Sequence, residues 1–218
     1  SLNSNKSMEI FGDGWQDYVL RLKEAFSALR PEDVTVLCGD LSWGMSLEES
    51  LEDFRFIDAL PGKKYLLKGN HDYWWNTAAK MERFFREHEL TTMEILHNNC
   101  KFYGELALCG TRGWFYELDN QGTHDEKVLL REIGRLESSL KAAGEHEKLV
   151  FLHYPPLYQG YRCPEILRLL SAYPVERCCY GHLHGASHRR AIEGMWDGTE
   201  FSLVSADYLK FVPKKICE

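Results

Sequence analysis

The chain has 218 residues, of which 44% are hydrophobic and 27% charged, so the disordered, collagen-like and coiled-coil classes are excluded. Acidic residues (33) outnumber basic ones (26), and the formal net charge of −7 argues against general nucleic-acid binding. No uncharged apolar run reaches the roughly 18 residues of a membrane-spanning helix, and the N-terminal residues lack the apolar core of a signal peptide. Together with seven cysteines that lack metal-knuckle spacing, these features predict a cytoplasmic protein with no membrane partner.

Strand-like and helical patterns alternate along the chain, which predicts an α/β fold. The first half is predicted to contain a helix over 14–29, a strand over 34–38, a helix over 47–60, a strand over 64–68, a helix over 75–89 and two short strands over 95–110 around a turn at Asn98-Asn99. The second half is predicted to contain a helix over 125–143, strands over 148–152 and 177–180 with a helix over 165–172 between them, and two or three antiparallel strands over 188–212. No linker or repeat divides the chain, so residues 1–218 are expected to form a single domain.

Polar side chains follow four of the predicted strands directly. The four segments are Gly39-Asp40, Gly69-Asn70-His71-Asp72, His153 and Gly181-His182-Leu183-His184-Gly185. Asn70 lies 30 positions after Asp40, and His182 lies 29 after His153, each close to the length of one β-α-β unit. We therefore expect each pair to lie at the carboxyl ends of neighbouring parallel strands, where open α/β sheets place their ligands.

Carboxylate, amide and imidazole groups together suit Mn²⁺, Fe²⁺ or Fe³⁺, or Zn²⁺, whereas Ca²⁺ prefers oxygen ligands alone. Each segment taken singly has a simpler interpretation. A Gly-Asp pair after a strand is usually a turn, and a lone histidine is more often a buried polar group than a ligand. The coincidence of all four segments at strand ends favours a catalytic metal site. Surface or turn positions are expected for the other histidines, namely His88, His97, His124, His146 and His188.

In order and spacing, these four segments resemble the second to fifth signature motifs of the calcineurin-like metallophosphoesterases. The resemblance implies a four-layer α-β-β-α sandwich that binds two divalent transition metal ions and hydrolyses phosphate esters. It also implies that Asp40 bridges the two ions, that Asn70, His153 and His182 complete one site, and that His184 ligates the other ion. His71 would lie beside the substrate as a general acid, oriented by Asp72.

Arg112 follows another predicted strand, within Gly110-Thr111-Arg112-Gly113-Trp114. Its guanidinium group is suited to a bidentate contact with phosphate. Four aromatic residues near the strand ends either form a wall around the site or pack in the core: Trp43, Tyr73, Trp74 and Trp75.

The chain departs from the family pattern at its start, because it has no strand ending in Asp-x-His. Asp13 is predicted to be a helix N-cap instead. Either about ten residues that carry the motif precede Ser1, or the first metal site is depleted; we favour the first alternative. The alternative function is a non-catalytic protein-binding scaffold on the same fold, but His71 and Asp72 favour an enzyme. The pattern leaves open whether the substrate is a monoester or a diester, and it leaves the oligomeric state open.

Overall fold

A computed structural model describes residues 2, 8, 12–114 and 123–217. The helices in these ranges are α1 (Tyr18–Phe26), α2 (Leu51–Ala59), α3 (Ala78–Glu87), α4 (Thr123–Ala142) and α5 (Pro164–Ala172), with short 3-10 helices at Asp13–Trp15 and Gly185–Arg190. The strands are β1 (Val34–Leu37), β2 (Lys63–Leu66), β3 (Met93–Ile95), β4 (Cys100–Tyr103), β5 (Leu106–Thr111), β6 (Glu147–Leu152), β7 (Leu157–Tyr158), β8 (Tyr161–Arg162), β9 (Val175–Tyr180), β10 (Gly194–Trp196) and β11 (Thr199–Leu203).

Two main sheets carry the fold. One is parallel and has the strand order β1-β2-β3. The other has six strands in the order β10-β11-β9-β6-β5-β4; its four inner strands are parallel, and the two edge strands run antiparallel to their neighbours. Strands β7 and β8 form a separate small hairpin.

The sheets stack face to face and each is covered by helices on its outer side. Along β2 and the residue after it, Tyr65 and Leu67 pack between the sheets, whereas Leu66 packs with the core residues of α2 and α3. This alternation is the period of two that an extended strand imposes on its side chains. The outer face of the six-stranded sheet packs against α4 and α5, as Leu136 and Ile166 illustrate. The expected four-layer α-β-β-α sandwich is therefore confirmed.

Two predicted regions differ from the structure. The residues around Asn98 do not join two paired strands, because β3 belongs to the small sheet and β4 to the large one. The hairpin of this region is formed instead by β4 and β5, through Gly104 and Glu105. In the tail, β10 and β11 are antiparallel as expected, but β11 also pairs parallel to β9. Its carboxyl end therefore reaches the same edge of the sheet as the ends of β6 and β9.

No helix among the described residues is long and apolar enough to cross a membrane.

Candidate metal centre

Four candidate ligand atoms converge where the carboxyl ends of β1, β2, β6 and β9 meet. The Asn70 amide oxygen lies 2.7 Å from His153 Nε2 and 3.0 Å from His182 Nδ1. The two imidazole nitrogens are 3.2 Å apart, and Asp40 Oδ2 lies 3.6 Å from His153 Nε2. The four residues that the sequence assigns to one metal site are therefore brought together by the fold.

Two glycines make this convergence possible. Gly39 has φ = 94°, a conformation that favours glycine, and a Cβ atom there would lie 2.5 Å from the backbone nitrogen of Gly69. A Cβ atom at Gly69 would in turn lie 2.0 Å from Asp40 Oδ1. The loops after β1 and β2 approach so closely that neither position has space for a side chain.

The protonation states of the two histidines fit a cation. Nδ1 of the buried His153 lies 2.8 Å from the carbonyl oxygen of Cys38 and donates to it, so Nε2 presents its lone pair to the centre. Burial lowers the pKa of His153, and burial followed by the neighbouring His153 lowers the pKa of His182 to about 3. Both rings are therefore neutral at pH 7, as metal ligands must be.

Two of these atoms present lone pairs to each other. His153 Nε2 and the Asn70 amide oxygen are both acceptors, yet they lie at hydrogen-bond distance. A divalent cation between such groups turns a repulsive arrangement into an attractive one. Asp40 and His182 also have positive φ angles of 57° and 69°, and strain of this kind concentrates at functional sites.

Asp72 lies between the loops that follow β1 and β2. Its buried carboxylate accepts hydrogen bonds from the backbone N–H groups of Asp40, Leu41, Ser42 and Gly69, and from the indole N–H of Trp74. Burial and the charge of Asp40 raise the pKa of Asp72 to about 6, against the effect of these donors. Asp72 therefore joins the loops after β1 and β2, and the orientation of the His71 ring by Asp72 stays a prediction.

The His71 ring is held by two aromatic residues. It stacks on Trp43, with ring centroids 4.8 Å apart and an interplanar angle of 18°, and its Nδ1 lies 3.3 Å from the hydroxyl of Tyr73. The backbone N–H of His71 donates to Asp40 Oδ1 at 2.8 Å, which anchors it beside the centre. Trp43 and Tyr73 therefore form the wall that the sequence left open, whereas Trp74 is buried in the core.

A second group of possible ligands comprises His184, His188 and Asp207. Asp207 Oδ1 accepts from His184 Nδ1 at 2.7 Å, which leaves His184 Nε2 available as a ligand. Burial alone would raise the pKa of Asp207, but hydrogen bonds from His184 and from the backbone N–H of Gly185 lower it to about 2. His188 Nε2 is buried and lies 3.1 Å from Asp207 Oδ2.

The sequence predicts a surface or turn position for His188 and does not single out Asp207. The available signal for Asp207 is its position shortly after the end of β11, but the alternation of the tail predicts antiparallel strands alone. The side chains of Asp13 and His124 lie outside the described residues.

Arg112 lies beside the first group of ligands. Its carbonyl oxygen accepts from the backbone N–H groups of His153 and Tyr154, at 3.1 and 2.9 Å. Its guanidinium group lies over the Trp114 ring and 3.4 Å from a carboxylate oxygen of Glu132. Contact with a phosphate stays a prediction for this side chain.

The sequence model of the calcineurin-like phosphoesterases matches residues 13–186. The chain belongs to this family. Among solved structures, TT1561 of Thermus thermophilus is similar to this phosphoesterase with a TM-score of 0.50 and 15% identity, over 78% of each chain. A second crystal structure has a TM-score of 0.48 and 15% identity, over 78% of this chain and 80% of its own. The likeness to TT1561 supports the fold alone. No curated protein matches the chain.

Membership of the calcineurin-like phosphoesterases implies metal-dependent hydrolysis of phosphate esters in general. The first group of ligands fits such chemistry because it offers a carboxylate, an amide oxygen and two neutral imidazoles. The number of ions, their identity and the substrate require separate arguments.

Proposed function

We propose that this phosphoesterase is an active hydrolase of phosphate mono- or diesters that uses two divalent transition metal ions, Mn, Fe or Zn. The observation that carries the proposal is the convergence of Asp40, Asn70, His153 and His182 on one point. Bound cations would neutralise phosphate charge and lower the pKa of water, which is the chemistry that these ligands lack by themselves.

In this proposal Asp40, Asn70, His153 and His182 hold one ion. The other ion is held by Asp40 and by His184, whose ring Asp207 fixes through Nδ1. The first assignment is supported by the lone pair that His153 Nε2 presents to Asn70 when Nδ1 donates to the Cys38 carbonyl. The second assignment is supported by the hydrogen bond that His184 Nδ1 donates to the Asp207 carboxylate, since metal-binding histidines frequently make such a bond.

We also propose that an upstream strand ending in Asp-x-His supplies the remaining ligands of the second ion. Strand β1 pairs with β2 alone among the described strands, so its other edge has no strand partner in this part of the chain. The residues of β1 are all partly exposed, whereas residues 148–152 of β6 are buried. An additional parallel strand at this edge would place its carboxyl end beside Asp40.

His71 is proposed to protonate the leaving-group oxygen. Its ring is partly exposed, whereas the neighbouring His153 and Asp72 are buried, so it can reach a substrate in the open part of the site. Stacking on Trp43 and the contact with Tyr73 restrict the ring without placing a competing carboxylate on it. An imidazole is suited to proton donation near neutral pH.

The decisive experiment measures hydrolysis of a panel of phosphate monoesters and diesters by the purified protein with Mn²⁺, Fe²⁺ or Zn²⁺. Metal content is determined in parallel by mass spectrometry. We expect metal-dependent turnover in wild type and its loss, together with loss of metal, in Asp40→Ala. Asp197→Asn, an exposed site, is the control and should retain both. Metal binding without hydrolysis of any ester would overturn the enzymatic proposal and favour the protein-binding scaffold.

A further inference from the structure

Beside the metal centre lies a group of basic side chains that the proposed mechanism does not use. We propose that Lys68, Arg112 and Arg135 form an anion subsite for a second phosphate group of the substrate. This inference rests on the proposed function, because it names the substrate class of the same site: a phosphate ester that carries a further phosphate.

The charges of this group do not balance. The buried carboxylate of Glu132 accepts from Arg135 Nη1 at 2.6 Å and from the Thr111 hydroxyl at 2.7 Å, and it lies 3.4 Å from Arg112 Nη2. Two guanidinium groups therefore share one carboxylate. Lys68 interacts electrostatically with these three charged residues and also with the buried Asp72, so three cations face two carboxylates. An excess of positive charge in a half-buried place favours an anion from outside.

Two donors of the group have no acceptor. Arg112 Nε and the indole nitrogen of Trp114 are buried N–H donors that, among the described residues, have no hydrogen-bond partner. Buried donors are nearly always satisfied in folded proteins, so these two neighbouring donors indicate a ligand that accepts hydrogen bonds. A phosphate group offers several such acceptor oxygens and matches the guanidinium group in geometry.

The pKa of a neighbouring histidine agrees with this excess of charge. Burial followed by the charge of Arg135 lowers the pKa of His97 to about 4.

The subsite adjoins the metal centre through both the backbone and aromatic contacts. Lys68 directly precedes Gly69 and Asn70, and the Arg112 carbonyl accepts from the backbone N–H of His153. The Trp114 ring lies 5.5 Å from that of Tyr154, which lies 4.5 Å from the ring of His182. One substrate molecule can therefore engage the metal centre with one phosphate and these cations with another.

A binding experiment tests the subsite without hydrolysis. Metal-free protein in chelator is titrated with inorganic phosphate and followed by thermal unfolding. We expect millimolar phosphate to raise the Tm of wild type by roughly 2–5 °C. Lys68→Met should abolish this shift and Lys68→Arg should retain most of it. Lys141→Met is the control, because it removes a lysine from the exposed face of α4 and should leave the shift intact.

A kinetic experiment with the metal-loaded protein then tests the substrate class. Two alkyl phosphates are compared that differ only in a terminal phosphate or hydroxyl group. Wild type should prefer the bisphosphate in kcat/KM, and Lys68→Met should reduce this preference by roughly 10- to 100-fold, the usual effect of one charge-assisted hydrogen bond.

The outcomes separate the subsite from the proposed function. A Lys68-dependent phosphate shift in a protein that hydrolyses no ester would support the subsite and overturn the hydrolase. Hydrolysis of both esters with equal kcat/KM, or a phosphate shift that Lys68→Met leaves unchanged, would overturn the subsite and leave the hydrolase standing.

Discussion

His153 Nε2 lies 2.7 Å from the amide oxygen of Asn70 and presents a lone pair to it, because the neutral ring donates its proton from Nδ1 to the Cys38 carbonyl. Without a cation this pair is repulsive, and with one both atoms become ligands. Asn70→Ala should therefore unfold in chelator at a Tm no lower than wild type. Addition of Mn²⁺ should raise the Tm of wild type by several degrees and the Tm of Asn70→Ala by less than half as much. Asn76→Ala, at an exposed loop position, should gain as much as wild type. Equal gains in wild type and Asn70→Ala would contradict the ligand assignment.

Asp72 accepts five N–H donors and makes no hydrogen bond to the His71 ring within the described part of the chain. Asp72→Asn keeps the shape but directs an amide NH₂ group at some of these donors. We expect the free energy of unfolding to fall by roughly 2–4 kcal/mol, since a buried acceptor is lost and donors remain unpaired. Chemical denaturation measures this, with Asp197→Asn as the control. A variant of unchanged stability that has lost only turnover would favour the orienting role of Asp72.

Removal of His71 should affect substrates according to their leaving group. A general acid matters most for a poor leaving group such as an alkoxide, and little for nitrophenolate, which leaves without a proton. His71→Ala should thus lower kcat for alkyl phosphates by roughly 10²–10⁴ and for nitrophenyl phosphate by less than tenfold. The exposed His146→Ala serves as the control. Equal losses for both substrates would assign His71 to substrate binding instead.

The strand-end residues could be predicted because their positions depend on local pattern: Asp40, Asn70, His153 and His182 each follow an apolar run that could only be a strand. The role of Asp72 could not, because its donors come from residues up to 32 positions away. Asp207 was missed for a related reason. Parallel pairing of β11 with β9 is a long-range contact, whereas the alternation of the tail indicates only that strands exist. Likewise, the unbalanced charge around Glu132 arises only when α4 packs against β5.

His97 interacts electrostatically with the basic residues around Glu132, and its titration makes the stability of the fold depend on pH. Burial, followed by the charge of Arg135, lowers its pKa to about 4, against 6.5 for the unfolded chain. Between pH 4 and pH 6.5, His97 binds a proton in the unfolded chain but not in the folded protein. With respect to this group, the free energy of unfolding is therefore highest above pH 6.5 and decreases as the pH falls towards 4. The slope is at most about 1.4 kcal/mol per pH unit. The free energy of unfolding, measured with urea at each pH in this range, should decrease less steeply in His97→Gln than in wild type, with His146→Gln as the control. Equal slopes for wild type and His97→Gln would contradict the prediction.

Asp207 is predicted to act through His184 and not by touching the substrate. Its hydrogen bond to Nδ1 fixes the ring so that Nε2 is free for a metal ion, and loss of such a partner usually weakens metal affinity by roughly 10- to 100-fold. Asp207→Ala should therefore raise the dissociation constant of the more weakly held ion by about this factor. Asp207→Asn, which retains an oxygen acceptor without the charge, should lie between Ala and wild type. Metal titration followed by mass spectrometry of the bound ions measures both.

The ion held by Asn70 and His153 should be little affected, since Asp207 does not contact those residues. Equal weakening of both ions would indicate a general loss of structure, and unchanged affinity in Asp207→Ala would remove His184 and Asp207 from the second site.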